Sequence, residues 1–330
     1  MKISVLGSGG WGIALAMAAA RNGHEVLLWS LFEEEISDLK QNRESKKLLA
    51  GVKIPSEIGL TANLSDAEDS DIVIIAVPSI AVRDIAKRVS TLKNIGIVVN
   101  VAKGIEEGSL KRLSEVISEE VKNAVVILSG PSHAEEVARG IPTSLVSCGS
   151  DSTATEKVID AFSSEKLRIY KNDDTIGVEL GGALKNVIAV AAGFCDGMGL
   201  GDNTKAALIT RGLTEIARLG VMMGAKERTF AGLTGLGDLI VTCTSQHSRN
   251  HRFGEMVGKG IDVQTALKEV GTVEGYYATK FAYLLAKKVG AEMPIVGECY
   301  NVLYNGSPVL DSVKNLMLRP ARNEYEKLWI

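Results

Sequence analysis

The chain has 330 residues, 45% of them hydrophobic, and its 37 basic and 40 acidic side chains leave a formal net charge of −3. That length can bury a large core and favours two domains over one, and the absence of a basic stripe argues against nucleic acid as a partner. No apolar run of membrane-spanning length and no charged-then-apolar leader is read, so the expectation is a cytoplasmic protein with no membrane partner.

The first element is a strand at 2–6, which runs into Gly7-Ser8-Gly9-Gly10-Trp11-Gly12 and then an alanine-rich helix. Strand, glycine turn and helix in this order form a dinucleotide-binding fingerprint. Gly7 permits the tight turn, Gly9 lets the backbone approach a pyrophosphate, and Gly12 lets helix and strand pack closely, with the helix N-terminus facing the negative charge. A second strand at 25–29 ends in Ser30-Leu31-Phe32, with neither an acid for a ribose 2′-hydroxyl nor an arginine for a 2′-phosphate. Glu33 comes slightly late and reads as the start of the next helix, where Glu33-Glu34-Glu35 complements the dipole. The choice between NAD and NADP therefore stays open, and both are expected to be accepted with limited discrimination.

Further buried-type strands read at 71–77, 95–101, 124–128 and 144–147, with a last one near 167–170; alternating with helices, they describe a Rossmann-type doubly wound parallel sheet. Pro78 and Lys103-Gly104 fall at strand carboxyl ends, where ligands bind in open α/β sheets. After Lys171-Asn172-Asp173 strands give way to helical segments at about 174–196, 204–223, 262–269, 274–289 and 295–305. The expected division is a dinucleotide-binding domain at 1–172 and an all-helical substrate-binding and catalytic domain at 173–330, with Asp173 or Asp174 as N-cap of the first long helix. Glycine-rich stretches at 197–201 and 232–237 separate its helices and read as cleft walls.

Lys185 stands alone among small and apolar residues in Gly181-Gly182-Ala183-Leu184-Lys185-Asn186-Val187-Ile188. Desolvation there disfavours the ammonium and lowers its pKa, which suits acid/base work on a carbonyl; a lysine that snorkels to water or pairs with Glu179 is the structural alternative. Ser248-Arg249-Asn250 offers a hydroxyl, a guanidinium fork and an amide, a set suited to phosphate. Ser129-Gly130-Pro131-Ser132-His133-Ala134 follows a strand and opens a helix, so its free N–H groups can hold an anion. His247 and His251 have i,i+4 spacing but lack the glutamate of HExxH, and Cys148, Cys195, Cys243 and Cys299 form no CxxC pair. No metal is expected, and the thiols read as reduced structural ones.

Together these segments resemble the bacterial-type NAD(P)-dependent glycerol-3-phosphate dehydrogenases. The match spans nearly the whole chain through the Gly7-to-Gly12 turn with Trp11, Val77-Pro78-Ser79, Ala102-Lys103-Gly104, Ser129-Gly130-Pro131-Ser132, Gly181-Gly182-Ala183-Leu184-Lys185-Asn186, Gly235-Leu236-Gly237-Asp238, Ser248-Arg249-Asn250 and Val273-Glu274-Gly275. The resemblance implies that Lys185 is the catalytic acid/base and that it contacts the substrate with Lys103, Gly130, Ser132, Asp238, Ser248, Arg249 and Asn250. Cofactor contacts implied beside Gly7, Gly9 and Gly12 are Gly10, Trp11, Lys103, Ala134, Arg249, Val273 and Glu274. It also implies reduction of dihydroxyacetone phosphate for phospholipid synthesis, NAD or NADP as cofactor, and a homodimer. Gly10 stands where the family often has serine, His133 where it commonly has phenylalanine, and Ser30-Leu31-Phe32 lacks the basic residue frequent after the second strand.

Overall fold

The structure, a computed structural model, describes residues 1–321, 323 and 324. They divide into two compact units, one of 1–106 with 111–175 and one of 107–110 with 176 onward.

In the first unit eight strands form one sheet in the order β3-β2-β1-β4-β5-β6-β7-β8. They are β1 (Lys2–Leu6), β2 (Glu25–Trp29), β3 (Gly59–Thr61), β4 (Ile72–Ile75), β5 (Ile97–Asn100), β6 (Val125–Ser129), β7 (Thr143–Gly149) and β8 (Leu167–Asn172). The three-residue β3 is absent from the sequence reading, because Gly-Leu-Thr is too short to show a period. Side chains alternate across the sheet: Ile3, Val5, Ile72 and Ile74 enter one core with helix α1 (Gly10–Arg21), while Leu6, Val73 and Ile75 enter another. Burial on both faces is why these strands read as unbroken apolar runs. Helices α2 (Glu33–Asn42), α3 (Val82–Val89), α4 (Leu113–Glu120), α5 (Ala134–Ala138) and α6 (Ser152–Phe162) complete the unit.

The sheet is not parallel throughout. β6 and β7 pair antiparallel, with Ile127 opposite Cys148, and β7 and β8 then run parallel to each other. The link before β7 carries only the five-residue α5, so the chain returns from the edge it left rather than crossing the sheet. The strand order reverses at β1, whose neighbours are β2 and β4, and the carboxyl ends there form the switch point at which open α/β sheets bind ligands.

The second unit is helical: α7 (Thr175–Gly197), α8 (Gly201–Met222), α9 (Glu227–Phe230), α10 (Asp238–Thr244), α11 (Arg249–Gly258), α12 (Val263–Val270), α13 (Glu274–Val289), α14 (Pro294–Asn305) and α15 (Val309–Met317). A π-helical turn, Leu233–Gly237, precedes α10. Helix α7 corrects one expectation, since it is long and apolar enough to cross a membrane; its apolar window is wholly buried inside the protein, as in a core helix. None of the four cysteines forms a disulfide and all are buried, and burial pushes the Cys243 thiol up to about 12.

Candidate active site

Gly7 turns the chain out of β1 with φ +126°. A Cβ on Gly7 would strike the carbonyl of Ala76 just past β4, and one on Gly12 would strike the carbonyl of Gly7, so packing inside the protein demands both glycines. Gly9 differs. A Cβ there would meet nothing within 4 Å, so the open space in front of it has no packing reason. Gly9 is also the N-cap of α1, where no side chain caps the helix and no acid occupies the first turn. Uncapped N–H groups at the positive end of a helix, facing open space, fit a pyrophosphate.

Around this turn the first unit gathers other expected residues. A Cβ on Gly10 would stand 3.5 Å from Ala134 Cβ, and half-buried Trp11 packs against the core. Lys103 Nζ donates to the Gly130 carbonyl at 3.0 Å, as does Ser132 Oγ at 3.1 Å, and Gly130 has φ +137°. An anion site at the start of α5 loses support, because the helix is short and Glu135 and Glu136 already fill its first turn. One residue was passed over. Glu35, in the first turn of α2, accepts hydrogen bonds on Oε2 from Ser8 Oγ and Ser30 Oγ, both at 2.6 Å, and so brings a carboxylate to the end of β2. The sequence signal was a run of three glutamates, read only as a complement to the helix dipole.

In the second unit α7 is buried without interruption from Gly177 to Cys195. Lys185 is 6% exposed and Asp238 1%. The Lys185 ammonium donates to the Asp238 carboxylate and, at 2.6 Å, to Thr242 Oγ1. Asp238 and Thr242 lie one turn apart on α10, and Thr242 Oγ1 in turn lies 2.6 Å from the Asp238 carbonyl. Glycines make this approach possible. Gly181, one turn before Lys185 on the same helix face, would carry a Cβ only 2.6 Å from the Thr234 carbonyl, so its bare backbone lets the π-helical turn sit on α7 and aim Asp238 at the lysine. The isolated, desolvated lysine of the sequence reading is thus corrected, because a buried opposite charge offsets the desolvation of the ammonium. Thr242 was missed, although its i,i+4 spacing from Asp238 was the available signal.

A second glycine seam positions the expected phosphate cluster. Gly193 and Gly197 on α7 face Gly254 and Gly258 on α11, and a Cβ on Gly193 would come within 2.6 Å of Glu255 N. The bare helices run side by side in the same direction, which sets the start of α11 against the Lys185-Asn186 turn. Asn250 Nδ2 donates to Asn186 Oδ1 at 2.8 Å, while Asn250 Oδ1 accepts from Gly275 N at 2.9 Å. Asn250 therefore ties α7, α11 and α13 together, and its second amide hydrogen is what remains for a ligand. Ser248 caps α11 by accepting from His251 N at 3.2 Å, and its own hydroxyl hydrogen stays available. Arg249, at the first position of α11, is exposed. Its guanidinium has no hydrogen-bond or ion-pair partner among the described residues. Val273 and Glu274 open α13 beside Gly275.

His251 is committed elsewhere: its Nε2 lies 2.7 Å from Asp196 Oδ2, and Lys205 Nζ lies 2.8 Å from the same carboxylate. Burial works against the Asp196 carboxylate, but the bonds from Lys205 and His251 outweigh it and hold the group below its ordinary range. The i,i+4 histidines therefore do not act together, since His247 is exposed and His251 is spent on Asp196.

Residues 2–155 match the family model described as the N-terminus of NAD-dependent glycerol-3-phosphate dehydrogenase, and residues 174–314 match the one described as its C-terminus. The chain belongs to this dehydrogenase family. It is 52% identical to glycerol-3-phosphate dehydrogenase [NAD(P)+] of Thermoanaerobacter sp. strain X514, over 98% of this chain and 99% of that one. It is 49% identical to the protein of the same name from Fusobacterium nucleatum, over 99% of each chain. Among solved structures, glycerol-3-phosphate dehydrogenase from Coxiella burnetii superposes with a TM-score of 0.92 at 37% identity, covering 96% of this chain and 99% of that one. Family membership makes the protein an NAD(P)-dependent oxidoreductase, and the eight-stranded sheet followed by a helical unit is the family's architecture.

Proposed function

We propose that the protein catalyses reversible hydride transfer between NAD(P)H and dihydroxyacetone phosphate, forming sn-glycerol 3-phosphate for phospholipid synthesis. The observation that carries this reading is the buried Lys185 ammonium held by Asp238 and Thr242. Residues 1–172 act as the dinucleotide-binding domain and 173–330 as the substrate-binding and catalytic domain. Gly7, Gly9, Gly10, Trp11, Gly12, Lys103 and Ala134 hold the dinucleotide, with Arg249, Val273 and Glu274 completing its contacts. When bound, the reduced nicotinamide supplies a hydride to a carbonyl carbon.

Lys185 donates a proton from Nζ to the C2 oxygen as negative charge builds on it, and takes the proton back in the reverse direction. Asp238 keeps the ammonium aimed. Exposed Arg249 presents its fork to the phosphate, joined by the free hydroxyl hydrogen of Ser248 and the remaining amide hydrogen of Asn250. Lys103, Gly130 and Ser132 supply further substrate contacts. Holding the phosphate fixes the distance from the anion to the reacting carbon, so binding energy is spent on orientation.

The protein works in the cytoplasm as a homodimer, which light scattering on the eluting protein reads directly. A panel of carbonyl compounds followed by NAD(P)H absorbance tests the activity: dihydroxyacetone phosphate is expected to stand far above unphosphorylated ketones and 3-oxoacids. Equal rates on phosphorylated and unphosphorylated ketones would remove the substrate assignment.

A further inference from the structure

We propose that Glu35 selects NADH over NADPH in this chain, a proposal that rests on the dinucleotide reading above. In a dinucleotide-binding fold the end of β2 faces the adenosine ribose, and an acid there accepts a hydrogen bond from the 2′-hydroxyl. Here that position is Ser30. Its N–H stays paired with the Thr61 carbonyl at 3.2 Å, and its hydroxyl donates to Glu35 at 2.6 Å while accepting from Phe32 N at 3.3 Å. Ser8, inside the fingerprint turn, reaches the same carboxylate oxygen at 2.6 Å. The two serines thus fix the carboxylate between the glycine turn and the end of β2, the two features that flank a bound ribose.

Both serines donate to Oε2. A carboxylate has about four lone-pair sites, and Oε1 has no hydrogen-bond partner among the described residues, so it is left to accept from ribose hydroxyls. Glu35 is exposed, and the neighbouring Leu31 and Phe32, 47% and 60% exposed, bring no cation. A 2′-phosphate would therefore meet a fixed negative charge with no guanidinium or ammonium from this loop to compensate it. Discrimination arises from this repulsion as much as from the hydrogen bond. The acid is not missing from the second strand's end; it arrives from the following helix through two hydroxyls.

Calorimetric titration of the full-length protein with NADH and with NADPH tests this, alongside kcat/KM for each with dihydroxyacetone phosphate. NADH is expected to bind at least about tenfold more tightly. Glu35→Gln keeps the acceptor for both serines and removes the charge; it is expected to shrink the ratio by about tenfold, mainly through tighter NADPH binding, and Glu35→Ala to do the same with weaker NADH binding as well. NADPH bound as tightly as NADH by the parent protein, or a parent preference that survives Glu35→Gln, overturns the proposal. If neither nucleotide binds, the dinucleotide reading falls and Glu35 with it. If the binding ratio behaves as expected but dihydroxyacetone phosphate is not reduced, Glu35 is upheld and only the substrate assignment fails.

Discussion

Lys185 carries two duties that a second substitution, at Asp238, separates. Lys185→Ala is expected to lower turnover by about 10² to 10⁴, the usual contribution of a positioned acid/base, while NAD(P)H still binds. It also leaves the Asp238 carboxylate, 1% exposed, without the ammonium, and breaking a buried pair from one side typically costs about 3–5 kcal/mol. Adding Asp238→Asn to Lys185→Ala should restore much of the melting temperature and none of the turnover. Recovery of both would make the lysine a structural partner only. Arg249 is the opposite case, exposed and without a partner among the described residues, so Arg249→Ala should leave the melting temperature nearly unchanged. Hydrogen bonds to a charged group contribute about 1.5–3 kcal/mol each, so kcat/KM for dihydroxyacetone phosphate should fall at least about tenfold. Unphosphorylated dihydroxyacetone is the control; an equal loss on both ketones would assign Arg249 to the cofactor or the fold.

At the scale of elements the site depends on how closely α7 and α11 approach. Alanine in place of glycine inside a helix gains about 1 kcal/mol of intrinsic propensity, whereas forcing a methyl into a filled contact costs about 1–3 kcal/mol or more. At Gly193 the Cβ would stand 2.6 Å from Glu255 N and against further backbone of α11, which cannot swing away as a side-chain tip could. Overpacking wins. Gly193→Ala should lower the melting temperature and, by moving Ser248, Arg249 and Asn250 away from the Lys185-Asn186 turn, weaken kcat/KM as well. A rise in melting temperature would show that the seam has slack. Gly199, with no atom within 4 Å of a Cβ, lies outside the seam, although its φ of +69° is itself a reason for glycine.

The pH dependence of the whole molecule has a buried source in Glu215 on α8. Burial pushes this carboxyl up to about 7 from an ordinary 4.5, against the pull of backbone bonds from Ile295 and Val296 at the start of α14. Because the folded value is the higher one, the group favours the folded state fully below about 4.5, and that contribution is lost as pH climbs through 7. At about 1.4 kcal/mol per unit the loss approaches roughly 3 kcal/mol. Melting curves between about pH 5 and 8 should therefore fall for the parent protein relative to Glu215→Gln, which has no charge to bury. Parallel curves would mean that Glu215 does not titrate in this range.

The elements that repeat a local pattern were legible from the residues alone. Strand β1, the Gly7-to-Gly12 turn and α1 follow from an apolar run, glycine spacing and alanine content, and the change after residue 172 from strands to helices follows from the change of period. Lys185 was singled out for the same reason, since a charge in an apolar helix is visible in any window around it. What the sequence could not supply were pairings between distant positions. Asp238 meets Lys185 across 53 positions, because Gly181 lets the π-helical turn rest on α7. The reversal at β7 depended on which edge the chain returned to after α5, and Glu35 reaches Ser8 and Ser30 only when α2 folds back over the end of β2. Local propensity and periodicity act within a turn or a strand and so can be read along the chain; hydrogen bonds and ion pairs between elements exist only once burial of the two apolar faces has brought those elements together.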